Sequence, residues 1–419
     1  MNQTLVLLVF VLVYGAMALG RWPGLALDRT GAAVIGAIVL VAAGAASPAL
    51  VTASIDFPTL IILFALMVLS AQFAASGFFE WCAGAIAASP ASPARILTMV
   101  VAVGGALAAV LTNDVVVWAM TPVLVRGLLA RGLDPRPFVI ALAMAANAGS
   151  AATLIGNPQN LLIAGAGGLQ FWPFVAACGV PALAALVLVR LVAGRLSHRA
   201  LRRPESLGPV ENVAPPRVPE RAALAKGVLA TAAIVAVLTL PVDRAPWVLA
   251  VAGVLLLSRR LNTRRMLSMV DWHLLLLFAA LFVVTGTLAA SGISARAVAT
   301  LGPENLRAPG ALALAALLGS NSIGNVPLVM VMLRAGLDLG AGPLYALALF
   351  STLSGNLLIV GSLANIIAIE RAGSEGVAIS FSDYARLGIP VTLLSLAFAW
   401  AWCWSGRSPK MERQPRSPI

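Results

Sequence analysis

The stretch GSAATLIGNPQN at residues 149–160 interrupts a long apolar segment, residues 138–166, near its middle. Pro158 has no backbone N–H to give to a helix and disfavours helical geometry at Asn157, so the segment is predicted to unwind there. A second long apolar segment, residues 344–369, contains GSLAN at residues 361–365, where Gly361 and Ser362 allow the same interruption. Irregular backbone at membrane depth is tolerated only inside protein or against a water-filled cavity. The two breaks therefore predict a polar site between membrane helices.

Composition places the chain in a membrane. Of its 419 residues, 60% are hydrophobic and 11% are charged, against about 25% charged in a soluble domain. Apolar runs close to the span length of about 20 residues recur along the chain, which predicts an all-α polytopic protein and excludes a soluble enzyme or a β-barrel. The basic residues that give the net charge of +12 lie between these runs. They therefore indicate the orientation of the chain in the membrane rather than a nucleic-acid partner. The cysteines, Cys82, Cys178 and Cys403, lack metal-ligand spacing.

The apolar segments form two groups with the same internal order. Both contain AASG, at residues 74–77 and 289–292, and both broken segments place an asparagine four residues after a glycine, at Asn160 and Asn365. Each group is predicted to cross the membrane five times. Because five is an odd number, the second group starts on the opposite side and is inverted relative to the first. The predicted units are a first inverted repeat at 1–194, a basic cytoplasmic linker at 195–226, a second inverted repeat at 227–406 and a disordered basic tail at 407–419.

Each group also contains a pair of short apolar segments. Residues 96–111 and 115–129 form the first pair, and residues 311–318 and 326–333 form the second. As helices these would rise roughly 22–24 Å and roughly 12 Å, short of roughly 30 Å of hydrocarbon. Each pair is therefore predicted to be a re-entrant hairpin with a polar tip, the first entering from the cytoplasm and the second from outside. Residues 227–240 and 247–257 are either two short spans or another shallow pair.

The two tips and the two breaks supply the candidate site residues. Carbonyl and amide oxygens suit Na⁺, and helix N-termini suit an anion or a hydroxylated solute, whereas the alternative is that these residues only pack helices together. The predicted substrate-binding residues are Thr112, Asn113, Gly156, Asn157, Asn160, Ser320, Asn321, Asn325, Gly361, Ser362 and Asn365. The predicted coupling-ion residues are Asp114, Asn113 and Asn321. Asn147 and Asn356 lie upstream of the breaks, and for them a role in the site and a role in helix packing both stay open.

Asp114 is the one carboxylate expected near the middle of the membrane. An ionisable group at that depth indicates function, because an unpaired charge there is costly, and it could bind a coupling cation or exchange a proton. The alternative is that Asp114 caps a helix beginning at Val115. Its expected counterpart in the second half is Ser322. No Lys or Arg is expected at this depth, which favours a neutral or monovalent substrate, or one accompanied by Na⁺.

These residues carry a resemblance to a known superfamily. The Leu-Thr-Asn-Asp sequence at 111–114, GSAATLIGNPQN, the Ser320-Asn321 pair and GSLAN at 361–365 resemble the ion transporter superfamily, in particular its arsenite permeases, NhaD-type sodium/proton antiporters, citrate permeases and sodium-coupled dicarboxylate symporters. The resemblance implies two inverted repeats, a homodimer and an elevator-like movement of the hairpins and broken helices. The Ser-Asn-Thr motif of the dicarboxylate symporters is absent, because the tips read Thr112-Asn113-Asp114 and Ser320-Asn321-Ser322.

The sequence predicts a secondary active permease in a bacterial inner membrane. Its cargo would be a small inorganic or organic ion, with arsenite-type or related anion permeation coupled to H⁺ or Na⁺ ahead of Na⁺/H⁺ antiport. No cofactor or metal is expected beyond the coupling ion. A passive channel or a membrane enzyme is the alternative class, although HExxH and GxSxG motifs are absent. No Walker motif is present, but a separate ATPase subunit could dock on the linker.

Overall fold

The computed structural model describes residues 2–20, 22, 24–196, 218–240, 242–257, 262–335 and 339–405. Within these ranges the regular elements are helices without strands, as the sequence predicts. The protein is a multi-pass integral membrane protein, because several of the described helices are long and apolar enough to cross a bilayer. These are Phe57–Ala75, Pro93–Val110, Asn113–Ala130, Phe171–Leu196, Arg221–Thr239, Trp272–Ala290 and Phe381–Trp404. Most of the linker, residues 197–217, and the whole tail, 407–419, lie outside the described residues.

The helices of the first half follow the predicted order, with two short additions. They are α1 (Gln3–Leu19), α2 (Arg29–Ala42), α3 (Pro48–Ser54), α4 (Phe57–Ala75), α5 (Phe78–Ala88), α6 (Pro93–Val110), α7 (Asn113–Ala130), α8 (Arg136–Ser150), α9 (Pro158–Gly167) and α10 (Phe171–Leu196). Helices α3 and α5 were not among the predicted spans. Both have clear start signals, because α3 begins with Pro48 behind the N-cap Ser47 and α5 follows the left-handed Gly77.

The second half repeats this order. Its helices are α11 (Arg221–Thr239), α12 (Arg244–Leu256), α13 (Thr263–Leu267), α14 (Trp272–Ala290), α15 (Ile293–Leu301), α16 (Pro303–Arg307), α17 (Pro309–Ser322), α18 (Asn325–Arg334), α19 (Ala341–Ser354), α20 (Leu363–Ser374) and α21 (Phe381–Trp404). Helix α11 begins six residues before the expected span and is long enough to cross a bilayer, whereas α12 has 13 residues.

The two halves share details of local geometry. Asp56 and Asp271 are the N-caps of α4 and α14, with φ and ψ of −82° and 82° and of −79° and 83°. Each aspartate accepts a hydrogen bond from the backbone N–H three residues later. Gly77 and Gly292 follow these helices with φ of 77° and 75°, a left-handed conformation that favours glycine. Asp271 follows Asp56 by the same number of residues as Gly292 follows Gly77. Helices α1–α5 therefore have counterparts in α11–α15.

Both long apolar segments are interrupted where the sequence predicts. Helix α8 ends at Ser150, and α9 begins at Pro158 behind the N-cap Asn157, whose side chain accepts from the N–H of Asn160. In the second half α19 ends at Ser354, a 3₁₀ turn covers Ile359–Gly361, and α20 begins at Leu363. Proline at the first helical position explains the first restart, since its missing N–H would have had no partner within the helix.

The two hairpins differ from their predicted lengths. Helices α6 and α7 have 18 residues each, so each rises about 27 Å and is long and apolar enough to cross a bilayer. The sequence analysis made them too short because it excluded Pro93 at the start of α6 and both Asn113 and Asp114 at the start of α7. Helices α17 and α18, with 14 and 10 residues, rise about 21 and 15 Å. That the hairpins are re-entrant stays a prediction.

Candidate functional site

Both hairpin tips and both helix breaks line one cavity of about 110 Å³. The first tip contributes Asn113 and Asp114, and the first break contributes Pro158 and Gln159. The second tip contributes residues 323–327, and the second break contributes residues 360–363. Of the predicted site residues, the structure brings five to the cavity wall: Asn113, Asp114, Asn325, Gly361 and Ser362.

Four helices that begin at the tips and breaks start at this cavity. The first residues of α7, α9 and α18 line it, as does Leu363 at the start of α20. The first turn of a helix carries unpaired N–H groups and the positive end of the helix dipole. Helix starts that converge from both halves therefore contribute positive partial charges to the cavity wall through the backbone. These charges suit an anion.

Asn147, in the last turn of α8, joins the first tip to the second break. Its Oδ1 accepts from Asn113 Nδ2 at 3.0 Å and from Ser362 Oγ at 2.9 Å. Its Nδ2 donates to Asn356 Oδ1 at 2.9 Å and to Asn365 Oδ1 at 3.0 Å. An amide has two donor and two acceptor positions, so Asn147 uses all of them. Sequence reasoning left this residue open, and the structure places it, fully buried, at the centre of the polar cluster.

Asn160 and Asn365 close the two breaks in the same way. The Nδ2 of Asn160 donates to Ser150 O at 3.1 Å and to Thr153 O at 2.8 Å. The Nδ2 of Asn365 donates to Gly355 O at 2.7 Å and to Leu358 O at 3.2 Å. In both cases the acceptors lie ten and seven residues upstream, at or just beyond the end of the preceding helix, where carbonyls lack partners within the helix. The two asparagines thus hold the unwound backbone in place.

The first tip is fixed to the first break through its backbone. The N–H of Asn113 donates to Gly156 O at 3.2 Å, and the hydroxyls of Thr112 and Ser70 lie 3.1 Å apart. Helix α7 begins at Asn113 behind the N-cap Thr112, so Asp114 occupies the second helical position. The expectation that Asp114 caps a helix beginning at Val115 is therefore wrong. The helix dipole still favours a carboxylate in the first turn.

The second tip is held mainly by Asn321 and Asn325. The Nδ2 of Asn321 donates to Leu317 O and Ser354 O, both at 2.9 Å, and its Oδ1 accepts from the N–H of Leu358 at 3.2 Å. In the amide orientation that satisfies its neighbours, Asn325 Nδ2 donates to Gly361 O, Ser351 O and Ser320 Oγ. Asn325 is the first residue of α18, which makes it the counterpart of Asn113. Val326, and not Ser322, therefore matches Asp114.

The remaining predicted residues lie behind the cavity wall. Asn157, for example, donates from Nδ2 to Ser150 Oγ at 3.0 Å and to Thr352 Oγ1 at 3.3 Å, and so supports the first break from within the protein. This second layer comprises Thr112, Gly156, Asn157, Asn160, Ser320, Asn321 and Asn365. Direct contact between these residues and a substrate stays a prediction.

Arg29 was missed as a site residue. The sequence analysis placed no Lys or Arg at the depth of the polar clusters, but the structure puts Arg29 on the cavity wall. It is the first residue of α2, and its Nε donates to Met17 O at 3.0 Å near the end of α1. This contact joins the start of α2 to the end of α1 across the connection between them. The spacing of residues in the sequence therefore does not predict it. The cavity therefore contains a guanidinium group as well as the carboxylate of Asp114.

Several oxygens at the site have no hydrogen-bond partner. Asn113 Oδ1 and Asn160 Oδ1 are buried without a partner. The side-chain carboxylate of Asp114 makes no hydrogen bond or ion pair within the described ranges. Buried polar atoms are seldom left unpaired, so such atoms mark positions for a ligand or an ion. Amide and carboxylate oxygens are ligands for hard cations.

Comparison with known proteins identifies the family. The sequence profile described as "Citrate transporter" matches residues 5–345. The chain belongs to the citrate transporter family. A relative in this family, a 46 kDa membrane protein of Mycobacterium leprae, is 31% identical over 93% of this chain and 95% of its own length. An uncharacterized transporter of Mycobacterium tuberculosis is also 31% identical, over 82% of this chain and 84% of its own length.

A solved structure supports the fold of this citrate transporter family member. The YdaH transporter of Alcanivorax borkumensis, whose topology is described as unusual, aligns with a TM-score of 0.59 at 16% identity. The alignment covers 96% of this chain and 97% of the other. The agreement extends over nearly the whole chain, so the arrangement of helices is that of a transporter fold. The protein is a membrane transporter, because the citrate transporter profile matches most of the chain.

Proposed function

We propose that this family member is a secondary active transporter of a small inorganic or organic anion, related to arsenite and other anion permeases, and coupled to H⁺ or Na⁺. The observation that carries the proposal is the single cavity lined by both tips and both breaks. Elements from two repeats that meet at unwound helices are typical of the central site of secondary transporters.

The geometry suggests how two ions of opposite charge share the site. The four helix starts and Arg29 attract an anion. The free oxygens of Asn113 and Asp114 are suited to a coupling Na⁺, and the Asp114 carboxylate could instead carry a proton. A bound cation lowers the cost of holding an anion nearby, so occupancy of one site favours occupancy of the other.

The movement and assembly predicted from the sequence belong to the same proposal. We propose re-entrant hairpins, a second half inverted relative to the first, a homodimer and elevator-like movement of α6–α9 and α17–α20. We place the protein in the bacterial plasma membrane with the linker in the cytoplasm. Any ATPase subunit would dock on that linker.

Asp114→Asn is expected to uncouple transport from its driving ion. The amide keeps the size of the side chain but has no negative charge and no titrating proton, so it weakens cation binding and removes proton exchange. Proteoliposomes containing the parent or the variant would be tested for flux of arsenite, citrate, succinate and Na⁺ under imposed pH and Na⁺ gradients. We expect at least a tenfold loss of gradient-stimulated flux, because a single lost charge contact of about 1.4 kcal/mol corresponds to about tenfold.

Glu304→Gln is the matched control, because Glu304 forms an exposed contact with Arg307 away from the cavity and its side chain is 85% exposed. This variant should keep the parent's coupling. Unchanged coupling in Asp114→Asn would show that Asp114 only favours the start of α7, and currents too fast for alternating access would identify a channel.

Na⁺/H⁺ antiport is the second candidate, and the unpaired carboxylate of Asp114 beside free amide oxygens is the observation that favours it. In that case Na⁺ flux would follow an imposed pH gradient with no anion present. Arsenite, citrate and succinate would then be neither transported nor required.

A further inference from the structure

Arg29 has a structural counterpart in the second half. Asp28 and Asp243 are the N-caps of α2 and α12, and Arg29 and Arg244 are the first residues of those helices. Each arginine donates one hydrogen bond to a backbone carbonyl near the end of another helix. Arg29 Nε donates to Met17 O at 3.0 Å, and Arg244 Nη1 donates to Leu169 O at 3.0 Å. The Asp-Arg pair thus recurs at the same position of the repeat with the same type of anchor.

The two arginines line different cavities. Arg29 lines the cavity of about 110 Å³ that contains the tips and breaks, and Arg244 lines a second cavity of about 610 Å³. Four of the elements around the second cavity are counterparts of four elements around the first. The first is lined by the start of α2, α7, the start of α14 and the start of α20. The second is lined by the start of α12, α18, the start of α4 and α9.

This correspondence indicates two access routes to one polar centre. The larger cavity extends from the charged helix ends at Asp56, Arg244 and Arg334 to Leu154, which lies in the first break. The smaller one reaches the second break through Gly361. The larger route therefore ends at the first break, and the smaller one reaches both breaks. The difference in volume means that one route is wide and the other narrow in this conformation.

Both guanidinium groups have donors left for a ligand. Apart from the anchoring bond, the guanidinium groups of Arg29 and Arg244 make no hydrogen bond or salt bridge within the chain segments that the structure covers. A guanidinium offers five N–H donors in a planar fork, and carboxylates and oxyanions match that geometry with two parallel hydrogen bonds. The anchoring bond fixes the side chain, which reduces the entropy lost when an anion binds.

We infer that Arg29 and Arg244 are equivalent anion-recognition residues, one on each access route. This inference rests on the proposed function. It goes further in assigning anion recognition to two side chains outside the tips and breaks. The anion meets Arg244 on the wide route, and on the narrow route it meets Arg29 together with the helix starts of the tips and breaks.

The inference is tested by measuring substrate affinity separately from each face of the membrane. Uptake of radiolabelled acetate, succinate and citrate would be measured in right-side-out and in inverted vesicles. Arg29→Gln should raise KM by about tenfold or more in one vesicle type, and Arg244→Gln should do so in the other, because each removes a charge-assisted contact. Lysine at either position should restore part of the affinity, since it keeps the charge but not the fork.

Arg190→Gln is the control, because Arg190 donates to Thr98 Oγ1 and Ala94 O outside both cavities and should leave KM unchanged. Wild-type KM values for both glutamine variants in both vesicle types would overturn the inference while the proposed function stands. A fall in maximal rate at unchanged KM would indicate a structural role and would also overturn it. Vesicles that exchange Na⁺ for H⁺ but move no anion would refute anion recognition, and vesicles without any coupled flux would refute the proposed function as well.

Discussion

Replacing Asn147 with aspartate is expected to abolish transport and to lower the free energy of unfolding by about 3 kcal/mol or more. The change replaces Nδ2, which donates to Asn356 Oδ1 and Asn365 Oδ1, with an oxygen. Two hydrogen bonds then become close contacts between acceptors, in a fully buried position where an ionised carboxylate has no cation to pair with. Asn147→Ala should be damaging for a different reason, because it leaves the polar groups of Asn113 and Ser362 without their partner.

The measurements are thermal unfolding in detergent and flux in proteoliposomes, made on the same preparations. Asn262→Asp is the matched control, since Asn262 is an exposed N-cap whose side chain accepts from Arg264 N at 2.9 Å, and aspartate caps a helix equally well. It should change the free energy of unfolding by less than about 0.5 kcal/mol. If Asn147→Asp kept the parent's stability and flux, the four hydrogen bonds of Asn147 would not hold the site together.

The fold was largely predictable because its strongest determinants are local. Pro158 marks the restart of a helix whatever surrounds it, and the apolar runs mark most of the helices. The errors lie at helix ends, where a capping residue and not hydrophobicity sets the boundary. Asn113 and Asp114 were taken as connection because they are polar, whereas Thr112 is the N-cap and both belong to α7.

The site was only partly predictable because its geometry depends on tertiary contacts. The polar tips and breaks could be found from sequence, and five of the predicted residues do line the cavity. Which of them face the cavity depends on packing between the halves, as for Asn321, whose amide is bonded to the backbone. Arg29 is held at the cavity by its hydrogen bond to Met17 O. The spacing of apolar residues in the sequence does not predict that contact. For Asn147 a weak signal existed, a single asparagine within the small apolar residues of α8.

Gly149→Ala is expected to lower the free energy of unfolding by about 3 kcal/mol and to abolish flux, although Gly149 contacts no substrate in the proposed mechanism. A Cβ at this position of α8 would lie 2.0 Å from Gly105 O and 2.6 Å from Gly105 Cα, both backbone atoms of α6. Small residues allow two membrane helices to approach closely, and here no flexible side chain can move aside. Helix α6 would have to shift, and it carries the first tip with it.

The consequence for transport follows from what the tip holds. A shift of α6 would move the connection to α7 and break the bond from Asn113 N to Gly156 O, so the first tip and the first break would separate. Gly253→Ala is the matched control, because Gly253 lies in α12 with open space around a built Cβ, and it should be neutral or stabilising by about 0.5–1 kcal/mol. Parent-like melting temperature and flux in Gly149→Ala would mean that α6 and α8 can separate without disturbing the tip. That outcome would remove the link between helix packing and the geometry of the cavity.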